Sequence, residues 1–91
     1  MAKDVSWNMD KNQRLLEERN ISFEEIQALI DRGNLLDVLE HPNSALHLGQ
    51  RVLVVRGLQD TYWVPFVENE AQLFLKTIFP SRKAEKLYPR G

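Results

Sequence analysis

The chain has no cysteine. Disulfides, thiolate metal sites and thiol nucleophiles are therefore excluded, and a reducing compartment is acceptable. Its two histidines, His41 and His47, sit in one stretch without a clustered third ligand, which argues against a metal centre. There is no glycine-rich phosphate loop, no His-Glu-x-x-His and no Gly-x-Ser-x-Gly, so those nucleotide, zinc and serine-hydrolase chemistries are set aside. No N-terminal apolar run reads as a signal peptide, and no stretch is long enough to span a bilayer. The expectation is a cytoplasmic protein with no cofactor, no metal and no membrane partner.

What remains is enough for one domain, residues 1–91. Of its residues, 43% are hydrophobic and 27% charged, a globular balance rather than a disordered one. A chain of this size buries roughly 60–65% of its unfolded surface, so one core is feasible without staples. The formal net charge of −1 hides an asymmetry. Residues 1–40 carry 5 cations and 9 anions (5 − 9 = −4), and residues 41–91 carry 7 cations and 4 anions (7 − 4 = +3). The last segment, 76–91, holds Lys76, Arg82, Lys83, Lys86 and Arg90 against Glu85 alone (5 − 1 = +4). Clustered cations of this kind suit a polyanion; they also occur on solvated rims.

Pattern along the chain predicts an α+β fold. Val5–Asn8 reads as a short opening strand with Trp7 as a core anchor. Asp10–Arg19 reads as a surface helix contacting the core through Leu15 and Leu16. Ser22-Phe-Glu-Glu25 is a capping-box pattern, with Glu25 reaching back to the cap. Phe23, Ile26, Leu29 and Ile30 then share one helical face, and Gly33 is a natural left-handed stop. Leu35–Glu40 reads as a short strand, with a helical continuation as the alternative. Turn chemistry follows at 41–44 and at 48–50. Arg51–Arg56, Thr61–Glu68 and Gln72–Phe79 read as an antiparallel three-strand meander. Pro65 cannot donate to a ladder, so it marks an edge or a bulge. Strict alternation places Phe74, Lys76 and Ile78 on one face of the third strand and Leu73, Leu75, Thr77 and Phe79 on the other. Ser81 caps a terminal helix running through Tyr88. The expected architecture is helices packed on one face of a mainly antiparallel sheet.

The residues suited to chemistry are basic and aromatic: Arg51 and Arg56 at the ends of one strand, Tyr62 on the next, Lys76 on the third, then Arg82, Lys83, Lys86 and Tyr88. Lys76 interrupts an apolar run. Either its stem packs while its head reaches the rim, or its charge is required there. Such a set can serve phosphoryl cleavage in RNA, in which the 2′-hydroxyl attacks the adjacent phosphate and Arg and Lys stabilise the charge that builds on the nonbridging oxygens. A proton must leave the hydroxyl and another must reach the departing oxygen. Unperturbed Lys and Tyr titrate near 10, so they act as donors unless shifted. A loop histidine is a further candidate for handling a proton. Exposed Trp63 and Phe66 would alternatively form a protein-partner surface.

Trp7-x3-Lys11, then Ile21-Ser-Phe-Glu-Glu25, then a meander ending Ile78-x2-Ser81-Arg-Lys-Ala84, resembles the BrnT family of bacterial toxins. The resemblance spans most of the chain, and Gly49-Gln50-Arg51 loosely matches a Gly-Glu-x-Arg stretch of the family. It implies a RelE-like α+β fold and metal-independent RNA cleavage by a ribonuclease (hydrolase) toxin of a type II toxin–antitoxin system. It also implies a cognate antitoxin as partner, through which the toxin can oligomerise. The matching site candidates are Arg51, Arg82 and Lys83, to which the charge argument adds Lys76 and Tyr62 as catalytic candidates and Arg56, Lys86 and Tyr88 as RNA-binding ones. Glu85 and Tyr88 stand closer together than the Glu and Tyr that close the family pattern, and Pro80 precedes Ser81 here.

Overall fold

Capping chemistry sets the two N-terminal helices. The computed structural model describes residues 4–40 and 50–89. After β1 (Asp4–Trp7) comes α1 (Met9–Arg19), whose N-cap Asn8 accepts from the Lys11 N–H at 2.9 Å. Helix α1 ends on Asn20 in the left-handed region, φ 57°. Helix α2 (Phe23–Asp31) starts as its sequence predicts, with Ser22 Oγ accepting from the Glu25 N–H at 3.2 Å. Glu25 makes no return bond among the described residues. The return contact comes from α1: Asn12 Oδ1 accepts the Phe23 N–H at 2.7 Å, and Asn12 Nδ2 donates to Glu24 at 2.7 Å. One amide thus satisfies an orphan first-turn donor of α2 and locks the two helices together. Phe23, Ile26 and Leu29 are buried and Ile30 partly so, confirming the predicted face. Gly33, at φ +87°, follows the cap.

The strands are β2 (Leu35–Glu40), β3 (Gln50–Arg56), β4 (Thr61–Glu68), β5 (Gln72–Leu75) and β6 (Phe79–Pro80), followed by helix α3 (Arg82–Leu87). Their order is β1-β5-β4-β3-β2, with β6 also paired to β4. All pairs are antiparallel except β1 with β5. The result is an α+β domain with a mostly antiparallel open sheet. Among the described residues, no helix is long and apolar enough to cross a membrane. The turns predicted at 41–44 and 48–50 fall outside the described residues, apart from Gln50.

The third meander strand is a correction. It breaks after Leu75 and resumes at Phe79. Leu75 lies opposite Phe66 and Phe79 opposite Trp63, while the Lys76 N–H donates to the Pro65 carbonyl at 2.8 Å. Residues 76–78 therefore face only Val64 and Pro65. Because a strand residue presents its N–H and C=O on the same side, the nitrogen of Pro65 also points at this strand and offers no hydrogen. The extra residue forms a bulge, and Pro65 stands in a buried central strand rather than at an edge. The bulge also shifts the phase. Leu73, Leu75 and Ile78 all reach the same core, against strict alternation.

That core lies between α1, α2 and the sheet, with Leu15, Ile21, Phe23, Ile26, Leu53, Val55, Val64 and Phe66 fully or nearly fully buried. Trp7 packs beside it, stacked on Phe23 at 5.6 Å between ring centroids. A second correction concerns α3. Val52 and Val54 point away from that core yet are 1% and 0% exposed. The buried Ala84 of α3 stays outside the core as well. Three polar ties hold α3 on this reverse side: Thr61 Oγ1 donates to Glu85, Arg56 Nη2 donates to the Tyr88 carbonyl, and the Tyr88 hydroxyl donates to Asp37 at 2.5 Å. The helices thus cover both faces of the sheet, not one. Phe66 is 1% exposed, so the predicted Trp63–Phe66 partner surface is not an exposed one.

Replacing Asn12 by alanine should lower unfolding free energy by about 1–2 kcal/mol, since a capping bond to a part-buried amide is lost. Urea unfolding checks this; an unchanged midpoint would show that the Asn12 bridge contributes nothing.

Candidate functional site

The basic residues singled out by sequence separate into three groups. Arg51 and Tyr62 belong to the face covered by α1 and α2, because they alternate with Leu53, Val55, Val64 and Phe66. Arg51 forms an ion pair with Glu68, and its guanidinium lies 5.3 Å from the Phe66 ring centroid. The two side chains are 41% and 26% exposed, and a pair this open is worth about 0–1 kcal/mol. Arg51 can therefore be recruited by a stronger anion. Burial raises the pKa of the Tyr62 hydroxyl, with Asp60 and Glu25 adding to the effect. It stays protonated at neutral pH, so it can give a proton but not take one.

Arg56 and Tyr88 make the second group, and their role is structural. Both hold α3 against the sheet, and the Arg56 Nε is buried with no hydrogen-bond partner among the described residues. The bond from Tyr88 holds the Asp37 carboxyl below its usual range, helped by the Val38 N–H. The same bond raises the pKa of the Tyr88 hydroxyl, with burial second. Nothing in sequence spacing links residues 37, 56 and 88; only the fold does.

The third group is free to meet a ligand. Lys76 is exposed in the bulge, with Nζ 5.8 Å from the Phe74 ring centroid. Arg82 and Lys83 are exposed on the first turn of α3, which Ser81 caps by accepting from the Ala84 N–H at 3.1 Å. Lys86 is exposed one turn on. Sequence reasoning missed what stands beside Lys76. An open depression of about 320 Å³ is lined by Lys76, Thr77, Phe79 and Pro65, and from α1 by Lys11 and Arg19. Arg19 is fixed there: Nη1 donates to the Ile78 carbonyl at 2.6 Å, and its guanidinium lies 5.1 Å from the Phe79 ring centroid. Helical spacing alone signals that residues 11 and 19 share the side of α1 that carries Leu15; it does not say that this side meets the bulge. His41 and His47, the loop candidates for proton handling, lie outside the described residues, as does Arg90.

Comparison with protein-family models, curated proteins and solved structures finds no match to this chain.

Two outcomes test this geometry. Tyr88→Phe should lower the urea midpoint at pH 7. Its deficit should shrink as pH falls through the depressed pKa of Asp37, because that carboxylate's contribution is present above its unfolded pKa and lost below the folded one. The deficit should also shrink as pH rises through the raised pKa of Tyr88, whose contribution is fully present below about 10. A deficit that is constant with pH would show that the bond is not made. Gly57→Ala should cost about 1–3 kcal/mol, because an added Cβ would lie 2.7 Å from the Tyr62 ring and 3.1 Å from the Asp60 carbonyl oxygen. Thermal unfolding reads this directly, and an unchanged transition would show that the ring yields freely.

Proposed function

We propose that this protein is a ribonuclease toxin of a toxin–antitoxin pair, cleaving RNA without a metal and held inactive by a partner protein covering its cationic segment. The supporting observation is the run of exposed cations that begins at the bulge: Lys76, then Arg82 and Lys83 on a capped helix turn, then Lys86. The sequence resemblance to BrnT-like toxins, and with it a RelE-like fold, points the same way.

In this reading the 2′-oxygen of one nucleotide forms a bond to phosphorus and loses its proton. The bond to the 5′-oxygen of the next nucleotide breaks, and that oxygen takes up a proton. Arg82 and Lys83 carry the charge that develops on the nonbridging oxygens, while Lys76 assists by holding the strand. Arg51 joins them only by leaving Glu68, and Tyr62, being neutral, can protonate a leaving oxygen but not abstract a proton. A second reading keeps the fold and the cations and only binds nucleic acid. It is favoured by one feature: the exposed candidates described above are Lys and Arg side chains, with no carboxylate or imidazole among them.

Expression of the chain without its partner should arrest growth and degrade RNA, and purified protein should cut RNA in the presence of a chelator. Removal of one transition-state donor, as in Arg82→Ala, should lower the rate on the order of 100-fold. Salt-sensitive RNA binding with no cleavage would select the binding reading. Intact RNA, normal growth and no RNA binding would remove both.

A further inference from the structure

The depression beside the bulge has a composition that the exposed run on α3 does not explain. Its described lining includes three cations, Lys11, Arg19 and Lys76, and no carboxylate. The neighbouring depressions differ. The one beside α3 brings Arg82 together with Asp60 and Glu85, and those along α2 include Glu25, in one case with Asp60 and the other side of Arg19. Among the described residues no ion pair engages Lys11, Arg19 or Lys76. Like charges gathered without counter-charges destabilise a surface unless an anion occupies it.

Two further features point to an oxygen-rich anion. Thr77, on the lining, keeps its Oγ1 buried with no hydrogen-bond partner among the described residues. Buried hydroxyls are nearly always satisfied, so a ligand oxygen reaching this one would gain a full bond. Arg19 is held in place by the Ile78 carbonyl and the Phe79 ring, and one engaged N–H leaves most of the five donors of a guanidinium available. A fixed Arg with two Lys matches phosphate, which takes forked donors and point charges together. The volume, about 320 Å³, is at the low end of small-ligand sites, about 300–1,000 Å³.

We propose that Lys11, Arg19, Lys76 and Thr77 form a phosphate-binding subsite that seats one backbone phosphate of single-stranded RNA. The subsite would fix the strand relative to Arg82 and Lys83. Its chemistry requires a phosphate; that the phosphate belongs to RNA rests on the function proposed above.

The test uses the whole chain, two probes and one variant, Lys11→Gln/Lys76→Gln. Both side chains lie at the surface of the depression, and the variant's amide spectrum serves as its folding control. With inorganic pyrophosphate as probe, the amides of Lys11, Arg19, Lys76 and Thr77 should shift on titration of the wild type and stay still in the variant. With a short single-stranded RNA, affinity should fall with salt, and the variant's log–log slope should be shallower by about 0.7, the value for one phosphate no longer neutralised. Pyrophosphate shifts confined to α3, or an RNA slope identical in variant and wild type, would overturn the subsite. Pyrophosphate bound at the depression with no RNA binding at all would keep the phosphate site and overturn its assignment to RNA.

Discussion

One missing hydrogen organises much of this structure. Pro65 sits in the centre of the sheet with its nitrogen turned toward the strand that follows β4 in the meander. A residue with an N–H at this position would let that strand run unbroken from Gln72 to Pro80. Without it, the ladder holds through Lys76, loses its phase over the next two residues, and resumes at Phe79. The bulge turns Ile78 into the core, leaves Lys76 exposed, and lets Arg19 reach the Ile78 carbonyl. Both candidate surfaces follow from that break: the depression lined by α1, and the entry of the chain into α3. Bulges commonly sit where a sheet re-aims a side chain for use.

The other face shows how polar ties replace apolar area. Helix α3 is only six residues long, too short to hold itself in water. It buries Ala84 and is held by Thr61, Arg56 and Asp37. This explains why Arg56 and Tyr88, although basic and aromatic near the cationic terminus, are not available to a ligand. Their chemistry fits RNA binding; their partners make them part of the scaffold. The exposed cations Arg82, Lys83 and Lys86 are carried by the helix those partners secure.

Much of the fold was legible in the sequence because it is local. Ser22 before Phe23, the apolar face at 23, 26 and 29, and the turn at Gly57–Asp60 joining two β-rich runs are all read within a few residues. What was not legible depends on contacts between distant positions. Pro65 breaks a strand some eleven residues further on, so the alternation through 72–79 read as continuous. Asn12 caps a helix that begins eleven residues later. The placement of α3 on the reverse face turns on bonds from residues 37, 56 and 61. For the candidate site, charge type singled out Lys76, Arg82 and Lys83, but it could not separate them from Arg51 and Arg56. Lys11 and Arg19 gave no local signal that they line a depression beside the bulge, since a polar helix face is ordinarily solvated.

The central claim, that the absent N–H of Pro65 creates the bulge and everything built on it, is tested most directly by amide hydrogen exchange on Pro65→Val. The account predicts that the amide introduced at position 65 is protected by the facing strand. It also predicts that exchange at Thr77 and Ile78 slows toward that of Leu75 as the ladder closes. Exchange at Thr77 and Ile78 identical to that of the wild type, with the new amide unprotected, would show that core packing around Ile78 sets the bulge and that Pro65 only tolerates it.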